Sequence, residues 1–110
     1  MSNRLPDLDS DVLVALHELM QDDFPLLVET FTLDAEQRLQ QLRSHLHSGD
    51  WRALRHSAHS FKGSCGNMGA LALQNACLQL EQAAEQADAD QAAGLVAQLP
   101  EMLHRVISRL

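Results

Sequence analysis

Between Trp51 and Met68 the apolar residues Trp51, Leu54, Ala58, Phe61, Cys65 and Met68 recur in steps of three and four. Residues so spaced share one stripe only if the chain is an α-helix, and an apolar stripe of that period is the seam of a helical bundle. The same steps continue through Ala70, Leu73, Cys77, Leu80, Ala84 and Ala87. Similar spacings run through Phe24, Leu27, Phe31, Ala35, Leu39, Leu42 and Leu46, and through Leu95, Leu99, Met102, Leu103, Val106 and Leu110. No stretch alternates apolar and polar residues as a half-buried strand does. The breaks between seams are short. Asp9 or Ser10 can cap a first short helix through Val12, Leu13, Leu16, Leu19 and Met20. Asp22 or Asp23 with Pro25 opens the second helix, and Gly49 and Asp50 end it and cap the third. The motif-bearing third helix spans about residues 50–68. Asp88 or Asp90 opens the last helix, which Pro100 is expected to kink or interrupt. Short loops make successive helices antiparallel neighbours. The chain is therefore predicted to be all-α, an antiparallel up-down four-helix bundle with a short additional N-terminal helix.

Composition narrows the functions open to such a bundle. One domain accounts for 110 residues. The net charge of −7 argues against a nucleic-acid or anionic-membrane partner. Locally, however, Arg38, Arg43, Arg52, Arg55 and Lys62 form a basic region. No apolar run is long enough to span a bilayer, and the stretch from Met1 to Asp11 is polar, without a hydrophobic signal region, so a cytoplasmic chain is expected. Cys65 and Cys77 fit that compartment as reduced thiols and are too few for a zinc site.

One stretch does not read as scaffold. Ser57–Ala70, SAHSFKGSCGNMGA, contains the only lysine of the chain, Lys62, and the glycines Gly63, Gly66 and Gly69. At about 100° per residue, His59 points roughly 130° away from the centre of its helix's seam and faces solvent. A helical side chain leans over the turn before it, so residue 63 would shade residue 59. Residue 63 is a glycine, which costs about 1 kcal/mol against alanine within a helix and leaves the imidazole uncovered. Lys62 leans back over the same turn. A cation there favours the neutral, nucleophilic ring and can screen the charge of a phosphoryl group that the ring accepts. No phosphate-cradling loop between a strand and a helix is present, so the site is suited to receive and pass a phosphoryl group rather than to take one from ATP.

The segment AHSFKGSCGNMGALALQNACLQLE resembles the signature of histidine-containing phosphotransfer (HPt) domains. The matching residues are Ala58-His59, Phe61, Lys62-Gly63, Ser64, Gly69-Ala70, Cys77 and Leu80-Glu81, with Phe61 where leucine is more usual. The resemblance implies that His59 is the phosphorylated residue. It implies partners that are receiver domains of hybrid sensor kinases and of response regulators, exchanging aspartyl phosphate with His59. Because the bundle fills the chain, a stand-alone bacterial HPt protein is expected, a monomer without cofactor or metal. Arg55, His56, Ser60, Ser64 and Gly66 flank His59 as candidate docking residues, Gly66 equally as a helix terminator. Gln37, Arg38 and Gln41 on the second helix are candidates whose direction the sequence does not fix.

Alternatives are an HPt module of a chemotaxis-type kinase, a sensor-kinase dimerisation helix, a metal-binding bundle and a non-catalytic helical adaptor. Dimerisation helices follow the histidine with an acid and, a few residues on, a proline, whereas here Ser60 follows and no proline is near. A two-metal bundle could use His56 and His59, but it also needs inward carboxylates, and the seams carry none. An adaptor leaves Gly63 and the lone lysine unexplained.

Overall fold

A computed structural model describes residues 5–110; Met1 to Arg4, the start of the polar N-terminal stretch, lie outside the described residues. Among the described residues five α-helices follow one another: α1 (Ser10–Met20), α2 (Phe24–Ser48), α3 (Trp51–Asn67), α4 (Leu71–Glu85) and α5 (Ala89–Arg109), with a 3-10 turn (Gln21–Asp23) between the first two. No strand occurs among the described residues. α3 packs on α2 and α4, and α5 closes the ring against α4 and α2, which makes the four-helix bundle, with α1 laid against the start of α2. Among the described residues no helix is long and apolar enough to cross a membrane.

The caps explain the boundaries. Asp9 accepts from the amides of Asp11 and Val12, Asp50 from Ala53 and Asp88 from Gln91, so three helices begin on a carboxylate that satisfies otherwise orphaned donors. Asp23 occupies the cap position of α2 without such a bond, and Pro25 follows in the first turn. Gly49 ends α2 in the left-handed region, at φ 69°.

The seams read from the sequence meet as the core. Phe31, Ala35, Leu39 and Leu42 of α2 are buried against Leu54, Ala58, Phe61 and Cys65 of α3, Leu73, Cys77, Leu80 and Ala84 of α4, and Leu95, Leu99, Leu103 and Val106 of α5. Cys65 and Cys77 are both buried free thiols, and the neighbouring Cys77 thiol together with burial pushes the Cys65 thiol far above the ordinary range. Such a thiol is unreactive in the folded chain.

Two expectations fail. Pro100 does not interrupt α5, which runs unbroken through it. Proline removes one amide donor, and Pro100 lies on the exposed side while Leu99 and Leu103 on either side anchor the helix in the core. Ala87 does not extend the seam of α4. That helix stops at Glu85, and Ala87 is an exposed turn residue at φ 52°, whose amide bonds the Ala84 carbonyl.

The turn between α3 and α4 is held from outside. Gly69 lies in the left-handed region (φ 70°), and a Cβ there would stand 2.8 Å from Cβ of Val12 in α1. The Asp9 amide donates to the Gly69 carbonyl at 2.8 Å, and the Ala72 amide donates to that of Pro6 at 3.1 Å. Asp7 in the same leading segment accepts from Arg105 of α5. The α3–α4 hairpin is thus clamped at its turn while its outer face stays open.

Candidate functional site

His59 stands on the open face of α3, its side chain 63% exposed. Ala58 and Phe61 on either side of it in the helix are fully buried, and they fix the direction in which the imidazole projects. Gly63 follows at the next turn, and a Cβ built there would meet nothing within 4 Å. No packing contact therefore requires a glycine at that position, and its absent side chain leaves the ring accessible. Gly66 differs. A Cβ on it would fall 2.6 Å from the Gln74 side-chain nitrogen, so it backs onto α4. The glycine that ends the α3 turn is Gly69, not Gly66.

The sequence places the Lys62 ammonium over the ring, but the structure places it in an ion pair. Nζ of Lys62 donates to Oε1 of Glu81 at 2.8 Å, and Oε2 of the same carboxylate lies 3.0 Å from Nδ1 of His59. Glu81 thus bridges lysine and histidine from α4, with its side chain 14% exposed. Its hydrogen bond from Lys62 is the main cause that holds the carboxyl below the usual carboxylate range, against the opposing effect of burial, with His59 adding to the lowering. A carboxylate accepts only, so the neutral ring carries its proton on Nδ1 and turns the Nε2 lone pair to solvent.

Glu81 is the site residue that single-helix reasoning misses. In the sequence Glu81 stands only as part of the Leu80-Glu81 motif, because its direction depends on how α4 lies beside α3. The antiparallel register in which Gly66 meets Gln74 and Arg55 meets Glu85 also sets Glu81 opposite His59 and Lys62. An acid one residue past the buried Leu80, on the helix that follows, is the signal available in the sequence.

The second helix contributes one residue. Arg38 donates from Nη1 to Oγ of Ser60 at 2.8 Å, pairs through Nε with Asp34 at 2.7 Å, and lies 5.9 Å from the centre of the Phe61 ring. Gln37 and Gln41 are exposed, with no described bond to the site. The basic region expected from the sequence is therefore not one patch. Arg38, Arg55 and Lys62 are each matched by an acid, Arg43 lines a groove between α2 and α5, and Arg52 and His56 share a shallow depression with Arg55. His56 and Ser60 are exposed and Ser64 is half-buried, all on α3 around His59. Among the described residues no group of His, Cys, Asp or Glu side chains is placed to hold a metal ion.

The site thus presents an exposed imidazole with its Nδ1 held inward, a bare glycine one turn on and an adjacent lysine. The family model of the Hpt domain matches residues 26–109. The chain belongs to the Hpt domain family. Among solved structures, this Hpt domain is similar to the histidine-containing phosphotransfer protein B (HptB) from Pseudomonas aeruginosa, with 44% identity over 93% of this chain and 89% of that chain and a TM-score of 0.88. No significant match is found among curated proteins. Hpt domains are phosphotransfer carriers of two-component signalling rather than kinases, and membership implies interaction with receiver domains.

Proposed function

We propose that this chain, read as a single Hpt domain over residues 1–110, is a phosphorelay intermediate. His59 takes a phosphoryl group from the receiver-domain aspartate of a hybrid sensor kinase and passes it to the receiver aspartate of a response regulator. The observation that carries the proposal is the orientation of His59, with Nδ1 on Glu81 and Nε2 exposed beside Gly63. In the transfer, the Nε2 lone pair forms the N–P bond while the acyl O–P bond breaks and its electron pair returns to the aspartate. The ring then carries a positive charge and keeps its Nδ1 proton on Glu81. That charge makes the imidazole a good leaving group for the onward transfer, in which the N–P bond breaks and the pair returns to Nε2.

Lys62 anchors Glu81 and, having three donors, keeps others for the phosphoryl oxygens. Gly63 gives the receiver access. Arg55, His56, Ser60, Ser64 and Gly66 are the surface of α3 on which it docks. The protein works as a cytoplasmic monomer, without cofactor and without taking phosphate from ATP.

The test is transfer of radiolabel from a phosphorylated receiver domain. The wild type should be labelled, and the label should be acid-labile and base-stable, as an N–P bond is. His59→Ala should take none while keeping its helical content, and magnesium and labelled ATP alone should label neither protein. Labelling of the His59→Ala protein at the wild-type level would reject the assignment.

A further inference from the structure

Charge bookkeeping around His59 leaves the phosphorylated state incomplete. Before transfer, the Glu81 carboxylate and the Lys62 ammonium cancel at 2.8 Å. Afterwards a phosphoryl group adds about two negative charges and the protonated ring one positive charge. Up to about one negative charge is then unmatched, because the charge of Lys62 already balances Glu81 even where its remaining donors reach the phosphoryl oxygens.

Arg55 is placed to supply the missing cation. It lies one turn before His59 on the same helix, where Cβ atoms are about 5–6 Å apart, and the histidine side chain leans toward that turn. Its present partner is loosely held. Nη1 of Arg55 stands 3.6 Å from Glu85, with the two side chains 47% and 53% exposed. An ion pair of that kind contributes little, about 0–1 kcal/mol. Arg55 also borders a shallow depression of about 400 Å³, with Asp50, Arg52, Ala53 and His56, so its side chain has room to rearrange. By contrast Arg38 is fixed by Asp34 and Ser60 at 2.7 and 2.8 Å. A guanidinium suits the new partner better than the old, because it can present two parallel donors to phosphate oxygens.

We propose that Arg55 is a second cation of the phosphoryl site, which leaves Glu85 to contact the phosphoryl group once His59 Nε2 carries it. The inference rests on His59 being the acceptor, and one experiment separates the two. Potassium phosphoramidate phosphorylates without a partner protein: its N–P bond breaks with loss of ammonia as the bond to Nε2 forms. The phosphorylated site, observed by phosphorus NMR, is then titrated between about pH 5 and 9, where the phosphorus shift follows loss of the proton from the phospho-imidazole ring and any proton on the phosphoryl oxygens. A cation in contact favours the less protonated form. Arg55→Ala should therefore raise the midpoint by about half a unit, roughly a threefold change in the ionisation constant. Arg55→Lys should recover part of the difference, and Glu85→Gln, which removes the competing carboxylate, should move it the other way. Arg52→Ala, two turns before His59, should leave it in place, and high salt should shrink the Arg55 effect. Identical titrations for wild type and Arg55→Ala at low salt, with His59 phosphorylated, would overturn the role of Arg55 alone. Absence of any phosphorus signal that depends on His59 would overturn both this inference and the acceptor assignment.

Discussion

Glu81→Gln isolates the charge at the centre of the site, because glutamine keeps the side chain's size and one acceptor oxygen. The lost quantity is the charge assistance of two contacts. A hydrogen bond to a charged group contributes about 1.5–3 kcal/mol and a neutral one about 0.5–1.5. Glu81 and Lys62 are 14% and 25% exposed, so most of that difference survives screening at their contact. The imidazole is 63% exposed, and its contact adds only a few tenths. The variant should lose about 1 kcal/mol, about 4 °C in Tm for a chain of this size.

The pH dependence carries the sharper signature. The folded-state carboxyl is held below its ordinary value, so its contribution is present above the unfolded-state value and is lost as pH falls through the folded one. Denaturant melts of wild type and variant should thus differ most at pH 7, and the difference should shrink as pH falls toward 3. Phosphoryl acceptance should fall about tenfold, since an amide nitrogen can donate to Nδ1 and the Nε2 lone pair is no longer enforced. Nitrogen NMR of the imidazole reads that tautomer directly. A stability difference equal at pH 3 and pH 7, or a variant ring still protonated on Nδ1 with unchanged transfer, would refute the bridging role of Glu81.

Gly63→Gln should slow transfer from a receiver at least tenfold while stability holds or rises by up to about 1 kcal/mol, because open space surrounds the position and glycine is costly in a helix; an unfolded variant would show that the glycine serves packing. Gly69→Ala should do the reverse, lowering stability by about 1–3 kcal/mol through its positive φ and the 2.8 Å approach to Val12, with chemical phosphorylation of His59 kept in the folded fraction. A thermal melt unchanged from wild type would contradict that account of the turn.

What the sequence discloses here follows from what a single helix determines. Within α3 the relative directions of Ala58, His59, Phe61 and Gly63 are set by the helical period alone, so the exposure of the imidazole and the bare turn beside it are legible without a partner helix. Directions across helices are not. Whether Arg38 reaches Ser60, and whether Glu81 rather than His59 receives the Lys62 ammonium, depends on register and rotation between α2, α3 and α4, which the seams constrain only to about a turn. Pro100 and Ala87 mark a second boundary. Local preference argued for a break at one and for continued helix at the other, and packing of Leu99 and Leu103 and the end of α4 at Glu85 decided otherwise.

His59, Lys62 and Glu81 all belong to two helices joined by the few residues around Gly69, and these two helices share the most extensive packing of any pair in the chain. That locality has a kinetic consequence. Closing a short loop loses little chain entropy, whereas bringing α2 onto α5 closes a loop that contains most of the molecule. Contacts near in sequence form early in folding, so the imidazole and its carboxylate can find one another before the ring of helices is complete. Substitutions in the groove between α2 and α5 then act on the rate at which the native state opens and leave the arrangement of His59 as it is.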